Sequence, residues 1–211
     1  SAKPSNDRNW QSEVAVLPYG TINGDRVTVH NIRNLDYRTE TDFTPAYYDR
    51  TFDLRRLDRM DLFAVYWMGP AIAHMFVSFG FGDQHLPISI EVRTTRDKEY
   101  STIAGFFRQY ELYYVVGDER DVIRVRTNYR NPPEHVYLYR IRPRPDRGRK
   151  LLLQYLGEIN GLAGRAKWYN AHTHNCTTTI RLNANAVGVN IPLDWRFLAN
   201  GYLPEFLYEQ G

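Results

Sequence analysis

Residues 62–81 form an uncharged, mostly apolar run that restricts how the chain can fold. Its length is close to the roughly 20 residues that an α-helix needs to cross a bilayer. However, Gly69 and Pro70 interrupt the run, and such a pair ends regular structure. After this break the residues alternate with period two, as they do in a strand. The run therefore predicts two β-strands, over residues 61–67 and 71–81, and argues against a transmembrane helix.

A turn signal follows the second strand, and residues 86–94 form another alternating segment, so the two predict an antiparallel hairpin. If the hairpin pairs Phe81 with Leu86, His74 and Glu91 become diagonal neighbours on one face. A carboxylate beside an imidazole fixes the tautomer and stabilises the protonated ring. His74 is therefore a candidate general base with Glu91 as its partner, and a structural core histidine is the alternative.

The single cysteine of the chain, Cys176, stands where a helix is predicted to begin. Asn175 is a suitable N-cap, because its side-chain oxygen can accept an amide hydrogen of the first turn. The positive end of the helix dipole favours the thiolate, which is the nucleophilic form of cysteine. Cys176 is thus a candidate nucleophile, with a buried structural thiol as the alternative. His172 and His174 could join it in a metal site, but a fourth ligand is not evident, so no metal is predicted.

The other segments predict an α+β fold in which an antiparallel sheet packs against helices. We expect residues 1–26 to form an N-terminal arm and residues 27–211 a single domain. The predicted elements are strands over 26–33, 110–116 and 136–141, a long loop over 34–58, a helix start at Asp118, a solvated basic loop over 140–150, a helix over 151–162, and a short helix capped by Asp194 and Trp195 and ended by Gly201 and Pro204.

Charge and composition limit the classes of partner. The chain has 27 basic and 24 acidic residues, a net charge of +3, which is too small to indicate nucleic-acid binding. Only four of the 27 cations are lysine. Arginine holds phosphates and carboxylates with a planar fork, so lipid headgroups or buried ion pairs would both fit. No signal peptide is recognisable at the start of the sequence.

Several motifs together resemble the Lnb N-terminal periplasmic domain family, from about residue 27 to the end. The motifs are Ala-His-Met-Phe-Val-Ser-Phe-Gly-Phe at 73–81, Ile-Ser-Ile-Glu-Val-Arg at 88–93, Tyr-Glu-Leu-Tyr-Tyr at 110–114, Asp-Glu-Arg-Asp at 118–121, Trp-Tyr-Asn at 168–170, Asn-Cys-Thr-Thr at 175–178 and Pro-Leu-Asp-Trp at 192–195. The order of histidine, acidic residue and cysteine also resembles circularly permuted papain-like enzymes, including the lecithin–retinol acyltransferase group.

The resemblance implies a permuted papain-like fold with the catalytic cysteine at a helix N-terminus. It assigns Cys176 as nucleophile, His74 as base and Glu91 as the third polar residue, a position where relatives often have His, Asn or Gln. The backbone amide of Cys176 could contribute to an oxyanion site, with Asn175 or Tyr169 as a second donor. No cofactor is expected.

The resemblance also implies an activity and a location. A fatty acyl group would move from a phospholipid to the cysteine and then to the free amine of a lipoprotein, at the bacterial periplasmic membrane surface and with a membrane anchor in the full-length protein. The aromatic segment of residues 43–52, together with Trp67 and Met68, could form an acyl groove. Two alternatives stay open, namely a cysteine peptidase or amidase acting on cell-wall peptides and a non-catalytic domain that binds lipid or a partner.

Overall fold

A five-stranded antiparallel sheet carries most of the core. In this computed structural model, the residues described are 3–67, 69–97, 110–170, 175–192, 194, 196 and 200–209. The strands are β1 (Tyr19–Asn23), β2 (Arg26–Arg33), β3 (Asp36–Tyr37), β4 (Phe43–Thr44), β5 (Tyr47–Asp53), β6 (Arg59–Tyr66), β7 (Ala73–Phe81), β8 (Gln84–Arg93), β9 (Glu111–Val116) and β10 (His135–Ile141). The α-helices are α1 (Glu119–Val122), α2 (Pro145–Gly164), α3 (Cys176–Ala186) and α4 (Leu203–Glu209).

The main sheet has the strand order β10-β6-β7-β8-β9, and a smaller sheet has the order β1-β2-β5. The mixed α+β class with antiparallel sheets is therefore confirmed. The apolar run of residues 62–81 forms parts of β6 and β7, which pair along the whole of β6 and from Ala73 to Gly80 of β7. Every predicted strand of the main sheet is present, with ends that differ by one or two residues from the prediction.

The two faces of β7 are both buried, which explains why this strand is apolar almost throughout. Met75, Val77 and Phe79 point to the core on which the apolar residues of α2 and α3 pack. Phe76 points to a smaller core on the opposite face, which Trp10 from the N-terminal segment helps to cover. A strand covered on both sides loses the simple alternation between apolar and polar residues.

The β7–β8 hairpin has a different register from the one predicted. Phe81 pairs with Gln84 and Phe79 pairs with Leu86, so the predicted pairing of Phe81 with Leu86 is wrong by two residues. The turn is shorter than predicted, and Gly82 adopts a φ of 67°, which glycine reaches without a steric penalty. Because a shift of two residues keeps each side chain on its face, His74 and Glu91 still share one face.

The prediction of a long loop over residues 34–58 is wrong for more than half of this segment. It contains β5, the third strand of the smaller sheet, which pairs with β2. Only Phe52 of β5 is buried, so the strand lacks a clear apolar face in the sequence. At the N-terminus, β1 lies within the predicted arm and pairs with β2, so the predicted boundary at residue 26 falls inside a hairpin.

Two helix predictions also need correction. Strand β10 ends at Ile141 and helix α2 begins at Pro145, so only residues 142–144 of the basic segment 140–150 form a loop. Proline suits the first helical position because its fixed φ is already helical and its missing N–H would have had no partner there. Pro204 likewise lies in the first turn of α4 and does not end a helix. Trp195, predicted to cap a short helix, lies outside the described residues.

Candidate functional site

The candidate site lies where β7 and β8 separate. Strand β7 pairs with β6 from Ala73 to Gly80, but it pairs with β8 only from Val77 to Phe81. Beyond that point β8 continues as the partner of β9, with Glu91 opposite Tyr113. His74 lies on the part of β7 beyond this point, and its side chain contacts Ser89 and Glu91 of β8.

His74 is held by two polar groups of β8. Its Nε2 atom lies 2.7 Å from Ser89 Oγ and 3.0 Å from Glu91 Oε1. The Ser89 hydroxyl also donates to Glu91 Oε1 at 2.9 Å. The imidazole side chain is only 12% exposed. The carboxylate and the hydroxyl therefore fix the orientation of the ring at the edge of the core.

Cys176 is the first residue of α3, and its thiol meets the histidine. Asn175 is the N-cap, and its side-chain oxygen accepts from Thr178 N at 2.8 Å in a capping box. Both the His74 side chain and the backbone N–H of Met75 act on the thiol and lower its pKa. Met75 lies on the part of β7 that β8 does not pair with, so its N–H can point at the sulfur.

The charges of the three groups are coupled. Burial of the imidazole opposes its protonation, but the Glu91 carboxylate outweighs this effect and raises the pKa of His74 to about 9. Burial likewise opposes ionisation of the thiol, yet the hydrogen bond from His74 lowers the pKa of Cys176 below its usual value. Despite burial, His74 and Arg126 hold the pKa of Glu91 far below its usual range. The arrangement favours a thiolate next to an imidazolium ion.

Behind Glu91 lies a buried group of charges that the sequence analysis missed. Arg126 Nη2 lies 3.3 Å from Glu91 Oε1, and its Nη1 donates to Glu134 Oε2 at 3.1 Å. Arg130 forms a second ion pair with Glu134. Arg126 is supplied by a π-helical turn, Val125–Tyr129, which has no clear signature in the sequence. The guanidinium helps to keep Glu91 ionised, and it contacts Oε1, the same oxygen that faces His74.

Asn200 is a further site residue that the sequence analysis missed, as is Ser89. Its Oδ1 accepts from the backbone N of Ala73 at 2.7 Å, and its Nδ2 donates to the carbonyl oxygen of the same residue. Nδ2 also lies 3.9 Å from Cys176 Sγ. Asn200 therefore fixes the backbone directly before His74 and turns an amide N–H towards the sulfur. Its distance from both residues in the sequence left no local signal.

The remaining predicted site residues have structural contacts of their own. The backbone N–H of Tyr169 donates to the carbonyl oxygen of Tyr110 at 2.7 Å, which ties Tyr169 to the start of β9. The side-chain oxygen of Asn175 is engaged at the start of α3, so the Asn175 contacts observed position the helix. The predicted oxyanion roles of both residues stay predictions.

The residues that the sequence suggests for a metal site and for an acyl groove are only partly described by the structure. His172 and His174 lie outside the described residues, and the described part of the chain contains no cluster of ligands suited to a metal ion. Residues 43–52 contribute β4 and β5 of the fold. Trp67 lines an open cavity, whereas Met68 lies outside the described residues.

We expect the N-cap to matter for stability. Replacing Asn175 with alanine removes the acceptor for the first turn of α3 and should lower the free energy of unfolding by about 1 kcal/mol. Asn175→Ser is the matched control, because serine caps about as well as asparagine. Urea denaturation of the three proteins measures the effect. An alanine variant as stable as the wild type would contradict the assigned cap.

Asn200→Ala should lower the free energy of unfolding more than Asn175→Ala does. The substitution removes both backbone hydrogen bonds to Ala73 and leaves buried groups without these partners, so we expect a loss of about 2–3 kcal/mol in the free energy of unfolding. Asn185→Ala, which removes a single bond to the backbone N–H of Ile191, is the control and should cost about 1 kcal/mol. Equal losses in the two variants would show that Asn200 does not clamp the strand.

Comparison with known protein families identifies the family of this chain. A family model described as the Lnb N-terminal periplasmic domain matches residues 43–201. The chain belongs to the Lnb N-terminal periplasmic domain family. His74, Glu91, Cys176 and Asn200 all lie inside the matched region of this Lnb domain. No significant match was found among the curated proteins or the solved structures.

The family supports a periplasmic location for this Lnb domain, as the sequence resemblance implies. Within the part of the chain that the structure describes, no helix has both the length and the apolar character needed to cross a bilayer. The apolar run of residues 62–81 contributes to strands β6 and β7, in agreement with the rejection of a transmembrane helix.

Proposed function

We propose that this Lnb domain is a thiol acyltransferase of the permuted papain-like type, with Cys176 as nucleophile, His74 as acid and base, and Glu91 as the orienting carboxylate. The observation that carries the proposal is the 3.0 Å contact between His74 and Glu91, combined with the position of Cys176 at the start of α3, where the imidazole lowers the pKa of the thiol. A nucleophile, a base and a group that orients the base are the parts that covalent acyl transfer requires. We further propose that the full-length protein is anchored in the membrane.

In the first step, the Cys176 thiolate attacks the carbonyl carbon of a phospholipid ester. A sulfur–carbon bond forms, the ester carbon–oxygen bond breaks, and the departing alkoxide takes a proton from the His74 imidazolium. Nε2 of His74 is engaged by Ser89 and Glu91, so Nδ1 is the nitrogen that faces the reacting atoms. The products are a lysophospholipid and an acyl thioester on Cys176.

In the second step, the free amine of a lipoprotein attacks the thioester carbon. His74, now neutral, accepts the proton that the amine loses, and the thiolate leaves with its electron pair. This restores the thiolate and imidazolium ions and releases an amide. The Asn200 amide and the start of α3 are suited to stabilise the negative oxygen of both tetrahedral intermediates, because hydrogen-bond donors and the helix dipole favour negative charge there.

Intact-mass measurement after incubation with phospholipid vesicles tests the proposal. We expect one added acyl group on the wild-type protein, released when an amine acceptor peptide is supplied, and no added mass on Cys176→Ser. Cleavage of cell-wall peptides without an acyl adduct would replace the proposal with a peptidase or amidase. The absence of both reactions would favour a non-catalytic domain that binds lipid or a partner.

A further inference from the structure

An open cavity of about 580 Å³ lies beside the candidate site. Its aromatic wall is formed by β6, β10 and the segment that leads into α4. The residues that matter here are Tyr66, Trp67, Tyr137, Tyr139, Tyr202 and Glu205. The residues Trp67 and Tyr137 are 48% and 53% exposed, so they are available to a ligand.

The chemistry of this wall suits an organic cation. Aromatic rings present a negative face, and several rings around one position are a known way to bind an ammonium group. Glu205 supplies a full negative charge at the same cavity. Burial raises the pKa of Tyr66 to about 12, and the charge of Glu205 adds to this rise. Among the described residues that line the cavity, none is Lys or Arg, so the protein itself supplies no permanent cation there.

One short turn connects the cavity to the sulfur. Gly201 and Tyr202 line the cavity, and Asn200, directly before them, reaches towards Cys176 Sγ. Tyr66 donates to the carbonyl oxygen of Gly201 at 2.7 Å, which ties the cavity wall to this turn. A side-chain carbon at Gly201 would lie 1.8 Å from the carbonyl oxygen of Pro70, so the turn is held tightly against the neighbouring backbone.

We propose that this cavity binds the ammonium group of a phospholipid headgroup, such as ethanolamine or choline, while the ester of the same lipid meets Cys176. This inference rests on the proposed function and specifies its acyl donor. In a phospholipid, the phosphate and glycerol separate the ammonium from the ester carbonyl, so the two ends can occupy the two sides of the turn. An acceptor amine would have to contact the thioester carbon itself, and neither Cys176 nor His74 lines the cavity.

Calorimetric titration with soluble headgroups tests the inference in the Cys176→Ser protein, in which the nucleophilic thiolate is absent. Glycerophosphoethanolamine and glycerophosphocholine carry the cation, whereas glycerophosphoglycerol does not. We expect the first two to bind and the third not to bind. Glu205→Gln and Tyr137→Ala should each weaken binding about tenfold, the loss that corresponds to one charge or cation–π contact. Glu209→Gln, on the same helix but outside the cavity lining, is the matched control and should bind as before.

Equal binding of all three headgroups, or undiminished binding in Glu205→Gln, would overturn the inference. So would binding of a free-amine lipopeptide that depends on Glu205 while the headgroups fail to bind, because the cavity would then serve the acceptor. None of these probes is an acyl donor, so the binding result does not depend on whether the protein transfers acyl groups. Headgroup binding without an acyl adduct would overturn only the proposed function, and an adduct without headgroup binding only the inference.

Discussion

Replacing His74 with alanine should lower the rate of Cys176 acylation by about 10²–10⁴-fold, the usual contribution of general acid–base catalysis. Two effects combine in this loss. The thiol loses the hydrogen bond and the positive charge that lower its pKa. The departing alkoxide also loses its proton donor. The measurement is the rate of thioester formation from phospholipid at neutral pH, followed by intact mass.

His85→Ala is the matched control for this variant. His85 lies at the other end of the same hairpin and pairs with Gly80, so its loss tests whether any missing imidazole disturbs the sheet. We expect acylation by His85→Ala to stay close to that of the wild type. Thermal unfolding of both variants shows whether the fold is intact. Wild-type acylation by a folded His74→Ala protein would rule out His74 as the base.

Glu91→Gln should have the second-largest effect on the rate of Cys176 acylation. Glu91 is the main reason why the pKa of His74 is about 9 instead of 6.5, because burial and Arg126 both act in the opposite direction. A neutral amide removes this support, and each pKa unit corresponds to a tenfold change between the protonated and neutral ring. We therefore expect acylation at pH 7 to fall by roughly 10–100-fold.

The same substitution should change how stability depends on pH. Since the pKa of His74 is raised from 6.5 to about 9 by folding, its contribution to stability is complete below pH 6.5 and is lost as the pH rises through 9. In Glu91→Gln this decline between pH 6.5 and 9 should largely disappear. Denaturant unfolding at several pH values measures it.

Glu111→Gln provides the control for the loss of a buried carboxylate. Glu111 lies on the neighbouring strand β9 and pairs with Arg8 at 2.5 Å. Its substitution should lower stability but leave both the acylation rate and the decline above pH 6.5 in place. If Glu91→Gln behaves like Glu111→Gln, the role of Glu91 is structural only.

The sequence was sufficient for those parts of the fold that depend on local patterns. Alternation within residues 62–81 predicts β6 and β7, and Asp118 predicts the cap of α1, where its side chain accepts from Arg120 N. The contact between His74 and Glu91 is predicted despite the wrong register, because a shift of two residues preserves the face. The local apolar pattern and the face on which a side chain lies could therefore be predicted more reliably than the exact pairing of the strands.

Contacts between distant segments could not be predicted in this way. Arg126 and Asn200 reach the site from a π-helical turn and a 3₁₀ turn, whose side-chain directions no periodicity fixes. Strand β5 was missed because only one of its side chains is buried, so pairing with β2 and not an apolar pattern defines it. These features depend on tertiary structure and leave little trace in any single stretch of sequence.

The pH dependence of Cys176 alkylation by iodoacetamide tests most directly whether the sulfur and the imidazole form an ion pair. With a single cysteine in the chain, intact mass reports only this thiol. The lowered pKa of Cys176 predicts that alkylation becomes rapid below pH 8.5, the usual pKa of a free thiol, and that this transition shifts to or above that pH in His74→Ala. Identical profiles for the two proteins, both centred at or above the free-thiol value, would contradict the ion pair and the catalytic site built on it.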